Sequence, residues 1–143
     1  MEPESDDPFD LQRFLDAQDP VFGKVLWELE RGRKTSHWMW FVFPQIIGLG
    51  ESSVSRHYAI ASREEARSYL LHPILGQRLR DCTRLVVRVT DRSAIDIFGP
   101  VDAMKFRSSM TLFAGVAEDK ADFDQALSKY FDGQPDPVTK AWL

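Results

Sequence analysis

The chain reads as an all-α protein, a compact single-domain bundle of about eight helices including short ones. Three observations predict this. Apolar residues recur three and four apart along nearly the whole chain. Recognisable helix starts, Asp-Pro pairs and one Ser-x-x-Glu, introduce several of those runs. No stretch alternates apolar and polar residues as a half-buried strand would. With 143 residues, 43% of them hydrophobic and 28% charged, the chain can bury one ordinary core without staples. Residues 1–7 read as an acidic tail and residues 8–143 as a single helical domain.

Taken in order, Asp7-Pro8 opens a short helix carrying Leu11, Phe14 and Leu15, with Asp7 capping free N–H groups and Pro8 presetting φ in the first turn. Asp19-Pro20 repeats the device ahead of Val21, Phe22, Val25, Leu26 and Leu29, and Gly32 stops that helix as a left-handed cap. Trp38, Phe41 and Val42 suit a short helix, and Ser53 to Ala59 another. Ser62-Arg63-Glu64-Glu65 reads as a capping box for a helix with Ala66, Tyr69 and Leu70 on one face, broken by His72-Pro73. A longer helix then turns Leu75, Leu79, Cys82, Val86 and Val89 inward. Ser93-Ala94-Ile95-Asp96 begins a short turn ending at Phe98-Gly99-Pro100, and Asp102 caps a helix with Phe106, Met110, Phe113 and Ala117 on its apolar face. Phe123, Leu127, Tyr130 and Phe131 mark the next helix, closed by Gly133, and Asp136-Pro137 opens a last one ending in Trp142.

Composition narrows the function classes. The net charge of −4 conceals five acids and no base in residues 1–10, so the remainder, 18 bases against 17 acids, is nearly neutral. Arg80, Arg84 and Arg88 recur at helical spacing and read either as a phosphate-binding stripe or as a solvated face; the near-neutral body argues against a nucleic-acid module. The single cysteine, Cys82, allows neither an internal disulfide nor a cysteine-based metal cluster, and no metal-ligand spacing such as His-x-x-x-His occurs. The longest apolar run, Trp38 to Pro44, is far short of the ~20 residues a membrane helix needs, and the acidic amino terminus is unlike a signal peptide. A cytoplasmic protein with no membrane association, no metal and no cofactor is expected.

The most informative stretch is Arg31 to Ser52. Arg33, Lys34, Ser36 and His37 form a cationic, hydroxyl-bearing turn directly before Trp38, Trp40, Phe41 and Phe43. Such a turn can deliver a phosphate or carboxylate to His37, the candidate proton carrier, while Trp38 or Trp40 stacks a ring. The bland alternative is that the aromatics are core and the bases are solvated. Gln45 adds a polar group, and Gly48-Leu49-Gly50-Glu51-Ser52 could offer backbone N–H groups to an anion, although it lacks the strand and lysine of nucleotide-binding loops. Later in the chain, Lys105, Ser108 and Ser109 share a helix with Asp102, Arg107 and Thr111. The lysine and hydroxyls could converge on an anionic ligand, or the small hydroxyls could simply permit close helix packing. No Ser-His-Asp order or paired-carboxylate motif supports a hydrolase.

Four segments carry a resemblance: Phe9-Asp10-Leu11-x-Arg13-Phe14-x-x-Ala17-Gln18, Gly32 to Gly50, His72-Pro73-x-Leu75-Gly76-x-Arg78-Leu79, and Ile97-Phe98-Gly99-x-x-Asp102-x-x-Lys105-x-x-Ser108-Ser109-Met110-Thr111-Leu112-Phe113. Together they resemble the bacterial family catalogued as domain of unknown function 1810, over essentially the whole chain. The resemblance implies a compact all-helical domain and brings no catalytic residues with it. Some members bear the name calpastatin, but nothing here is similar to that long, repeat-containing inhibitor. Met104-Lys105-Phe106-Arg107 stands where the family more commonly has Leu-Lys-Leu-x, which leaves Lys105 intact and adds a charge at Arg107. More faintly, Phe14-Leu15-Asp16-Ala17-Gln18 resembles a helix motif of small domains that process NAD and ADP-ribose derivatives.

The sequence therefore predicts recognition, with turnover as an open extension, of a small anionic ligand such as a nucleotide, NAD or ADP-ribose derivative. Lys34, His37 and Lys105 should converge, and Trp40 should be more buried than Trp38. The alternative is a noncatalytic interaction domain whose aromatic segment 37–45 binds a protein partner or a second copy of the chain.

Overall fold

The structure is a computed structural model that describes residues 6–143, so residues 1–5 of the expected acidic tail lie outside the described residues. Among the described residues the chain forms ten helices: α1 (Gln12–Gln18), α2 (Phe22–Glu30), α3 (Met39–Val42), α4 (Ser53–His57), α5 (Arg63–Leu71), α6 (Leu75–Arg88), α7 (Ala94–Phe98), α8 (Pro100–Val116), α9 (Ala121–Phe131) and α10 (Pro137–Trp142). Among the described residues β-type pairing is limited to one parallel bridge between Ile46 and Ile60, which ties the loop after α3 to the segment after α4. The all-α reading holds, with ten helices where about eight were expected; α3, α4 and α7 are one turn or little more.

Helix α8 is the spine. It packs against α5, α7, α9 and α10, while α6 packs against α2, α5 and α9. Of its predicted face, Phe106, Met110 and Phe113 are fully enclosed, whereas Ala117 falls at the C-cap and is only partly buried; Ala103, Leu112, Ser108, Ser109 and Thr111 are buried as well. Burying hydroxyls on several sides of a helix is costly unless they are bonded internally, as those of Ser108 and Thr111 are and that of Ser109 is not. Ser108 Oγ donates to Asp136 Oδ2 at 3.0 Å and Thr111 Oγ1 to the Arg107 carbonyl at 2.8 Å. Thr111 Oγ1 also accepts from the Asp136 amide at 2.9 Å, so both hydroxyls fasten the start of α10. Asp136 caps α10 as expected, accepting from the Thr139 amide, with Pro137 at the first helical position.

Several helix starts differ from expectation. Asp7 does cap α1, its two carboxylate oxygens accepting from the Leu11 and Gln12 amides at 2.7 and 2.8 Å, but across an intervening turn that contains Pro8. Asp19 caps nothing: α2 starts at Phe22 without a side-chain cap, and Asp19 instead pairs with Arg78 at 2.8 Å. Ser62 caps α5, yet Glu65 reaches past it to the Ala61 amide and to Arg13, so the box is half-formed. Helix α8 begins at Pro100, and Asp102 lies in its first turn without capping it. The full capping box falls at Ser93 and Asp96 of α7. His72, read only as a helix breaker, accepts from the Ile74 and Leu75 amides through Nδ1 and so starts α6.

Candidate functional site

The site is built from the turn after α2. Gly32 sits at φ +68°, and the Gly32 and Arg33 amides donate back to the Leu29 and Glu28 carbonyls, the paired bonds of a Schellman turn. That turn sends residues 33–38 back across the end of α2, where they wrap one carboxylate. Glu28 is fully buried. Its Oε1 accepts from the Thr35 amide at 2.6 Å, the Ser36 amide at 3.0 Å and Trp38 Nε1 at 3.1 Å, and its Oε2 accepts from Ser36 Oγ at 2.6 Å. Burial pushes the Glu28 carboxyl up, but the bonds from Ser36, Thr35 and Trp38 together outweigh it and hold the group below its ordinary value. The Lys34 amide donates to the Ile97 carbonyl at 2.8 Å, which presses the same loop onto α7.

Fixed in this way, Lys34 meets α8. Its ammonium lies 2.7 Å from Asp102 Oδ2 with a side chain only 7% exposed, and 5.1 Å from the centre of the Trp38 ring. Lys105, one turn along α8, lies 3.5 Å from Asp102 Oδ1 and 4.8 Å from the centre of the Trp40 ring. Asp102 thus bridges two cations, tightly to Lys34 and loosely to Lys105, and each ammonium rests on a tryptophan face. Beside Lys105 opens a groove of about 260 Å³ between the loop 45–50 and the first turns of α8. Gln45, Lys105 and Ser108 supply its polar lining; Leu49, Val101 and Met104 supply its apolar wall. Trp40 and Gly48 line a much smaller crevice that shares Gln45 and Gly50 with it.

The remaining expected site residues fall in different places. His37 and Arg33 are exposed, and His37 does not join Lys34 and Lys105 at Asp102. Trp38, rather than Trp40, is the enclosed tryptophan, 1% exposed, because its indole N–H must reach buried Glu28; the expected order is reversed. Ser36 is committed to Glu28. Ser52 caps α4 by accepting from the Ser55 amide, and a Cβ at Gly50 would stand 2.5 Å from Ser55 Oγ. Ser109 is fully buried and does not line the groove beside Lys105; its hydroxyl is the buried side-chain polar atom left without a partner among the described residues.

The arginine stripe is neither a free phosphate surface nor a solvated face throughout. Arg80 and Arg84 both pair with Asp122 at the start of α9, at 3.2 and 3.0 Å, while Arg88 is exposed. Phe14 and Gln18 of the helix motif near the amino terminus are core: Gln18 Nε2 donates to the Phe41 carbonyl at 2.7 Å and to the Tyr69 hydroxyl at 3.0 Å. Sequence reasoning missed Glu28 altogether and assigned Asp102 a capping role. The one available signal for Glu28 was an acid facing inward, one position from Leu29 in an otherwise apolar-faced helix. Among the described residues no group of three or more His, Cys, Asp or Glu gathers where it could hold a metal ion, and no helix is long and apolar enough to cross a membrane.

The profile of a family described as "Protein of unknown function (DUF1810)" matches residues 8–143. A crystal structure of a conserved hypothetical protein from Mycobacterium tuberculosis is similar at 53% identity, covering 96% of this chain and 98% of that one with a TM-score of 0.95. No curated protein matches.

Proposed function

We propose, for a chain that belongs to the DUF1810 family of proteins of unknown function, that it recognises a small anionic ligand bearing a planar or apolar part, in the groove beside Lys105. The observation that carries this reading is the state of Lys105. Its ammonium stands over the Trp40 face at the wall of the groove, and its contact to Asp102 is 3.5 Å long where that of Lys34 is 2.7 Å. Lys34 is the structural cation, sealed in and tightly paired. Lys105 is the one able to exchange Asp102 for an incoming anion without leaving a buried charge bare. Leu49, Val101 and Met104 would cover the apolar part of the ligand, and Gln45 would orient it.

The reading is recognition rather than turnover. Lys105 is the titratable side chain lining the groove, and His37, the candidate proton carrier, lies outside that lining. The nucleotide, NAD and ADP-ribose classes remain within the proposal at this level, together with sugar phosphates. A thermal-shift screen of the wild-type protein against these classes, repeated on Lys105→Met, is the direct test. A hit whose stabilisation disappears in Lys105→Met supports the reading, and hits unaffected by that change defeat it.

A second reading, a surface for a protein partner or another copy of the chain, is favoured by one observation: Val101 and Met104 on the groove wall are 67% and 49% exposed. The aromatic segment 37–45 offers less to a partner than its sequence promises, since Trp38, Met39, Val42 and Phe43 are buried. Light scattering across a concentration series distinguishes the readings: self-association lost in Val101→Lys would favour the second.

A further inference from the structure

We infer that the ligand of this groove is a monoanion with a single ring system, an aryl or heteroaryl carboxylate or a compact phosphodiester, rather than a dianionic phosphate or a dinucleotide. The inference rests on the anion-recognition reading above and narrows its ligand class by charge and by size.

The charge argument starts from the cluster itself. Two ammonium groups, Lys34 and Lys105, face one carboxylate, Asp102, while a second carboxylate, Asp136, holds groove-lining Ser108, so the site carries at most a single unit of positive charge, located at Lys105. Glu51 on the adjoining loop and Arg56 of α4 are linked through the Glu51 carbonyl and carry opposite signs, so they add nothing net. The attraction of such a site grows in proportion to ligand charge, whereas the cost of stripping water from the ligand grows with the square of that charge. One negative charge is therefore the best match. A second would sit beside Asp102, which cannot swing away because Lys34 holds it at 2.7 Å in a nearly closed setting.

The size argument uses the groove volume. About 260 Å³ lies just below the ~300–1,000 Å³ usual for small-molecule sites, which leaves room for one ring system and a short charged arm. The neighbouring crevice at Trp40 holds only about 10 Å³ and cannot take a second nucleoside. The lining points the same way, with one cation at Lys105, one amide at Gln45, and an apolar wall of Leu49, Val101 and Met104. Ser108 is not a free donor there, since its hydroxyl is held by Asp136 Oδ2 at 3.0 Å.

The test keeps the ring fixed and varies charge and size separately, on the wild-type protein at pH 8. Phenylacetate, its neutral isostere phenylacetamide, dianionic phenyl phosphate and NAD are titrated while the Trp40 indole N–H is followed by ¹H–¹⁵N NMR. Phenylacetate should bind roughly tenfold more tightly than phenylacetamide, the loss expected from one semi-exposed ion pair, and more tightly than phenyl phosphate or NAD. In Lys105→Met the affinity for phenylacetate should fall to that of phenylacetamide. If phenyl phosphate or NAD binds more tightly than phenylacetate and loses that binding in Lys105→Met, the monoanion inference is overturned while anion recognition stands. If phenylacetate and phenylacetamide bind alike, or if none of the four shifts the Trp40 resonance, both fall.

Discussion

Replacing Glu28 by glutamine tests whether one buried carboxylate holds the loop that carries Lys34. The perturbation is isosteric, so packing is kept and only charge and hydrogen-bond polarity change. Oε1, which accepts from Thr35, Ser36 and Trp38, can persist as the amide oxygen, while an NH₂ group replaces Oε2 and forces the Ser36 hydroxyl to turn from donor to acceptor. Hydrogen bonds to a charged group contribute about 1.5–3 kcal/mol each and neutral ones about 1. Three weakened bonds and one inverted bond therefore lose roughly 3–4 kcal/mol, offset by about half because the neutral amide costs less to bury. The net expectation is a destabilisation of about 2 kcal/mol, or about 6–8 °C in Tm for a protein of this size. Glu28→Ala should cost about twice as much, since it orphans the buried Trp38 indole N–H and leaves a void.

The acid limb of stability gives an independent check. Glu28 has a folded value below its ordinary 4.5, so its contribution is fully present above 4.5 and is lost as pH falls through the lower folded value. Glutamine does not titrate, and the variant should lose less stability than wild type between pH 6 and pH 3. Thermal unfolding followed by circular dichroism at several pH values measures both effects. A Glu28→Gln protein that melts within about a degree of wild type at pH 7 and shows the same acid limb would refute the reasoning.

The other expectations can be checked on single variants. Trp38→Leu should cost about 3–5 kcal/mol because it leaves a void at a site with 1% exposure and removes one of the four hydrogen bonds to buried Glu28, whereas half-buried Trp40→Leu should cost about half that, by urea denaturation. Gly76→Ala should fail to fold stably at 37 °C, since the new Cβ would stand 1.9 Å from the Leu70 carbonyl oxygen of the preceding helix, a contact that backbone alone must relieve. Cys82 is fully buried and its thiol is pushed up to about 12, chiefly by burial, so it should be silent to Ellman's reagent in the native state and titrate fully in denaturant. Asp122→Asn should lower stability by about 1 kcal/mol or less, because Arg80 and Arg84 share it near the surface.

The helices were legible because each buries a stripe, and a stripe is a local, periodic property. Leu75, Leu79, Cys82 and Val86 announce α6 in sequence and are buried in the fold. Their starting points were less legible, because a carboxylate can reach its amides across a turn, as Asp7 does, or be claimed by a distant arginine, as Asp19 is by Arg78. Nothing within a few residues of Asp19 reveals that competition. Trp38 and Trp40 exchanged their expected roles for the same reason: the indole N–H of Trp38 has its partner ten positions back in Glu28.

The site shows this limit most clearly. Cations and aromatics stand out in a sequence, so Lys34, Trp38, Trp40 and Lys105 were all visible, and the structure gathers them at one junction. What sets their chemistry is the pair of acids between them, and acids on helices ordinarily read as solvated or capping. Glu28 fixes the backbone around Lys34, and Asp102 divides its two oxygens unequally between the lysines. That inequality makes one lysine a structural part and leaves the other at the mouth of the groove. A change at either acid should therefore alter the behaviour of Lys105 without replacing it, and for the proposed site a double-mutant cycle between Asp102→Asn and Lys105→Met, read on phenylacetate affinity, would measure that coupling. Additive effects in that cycle would mean that Lys105 acts independently of Asp102, and the division between a structural and an available cation would lose its basis.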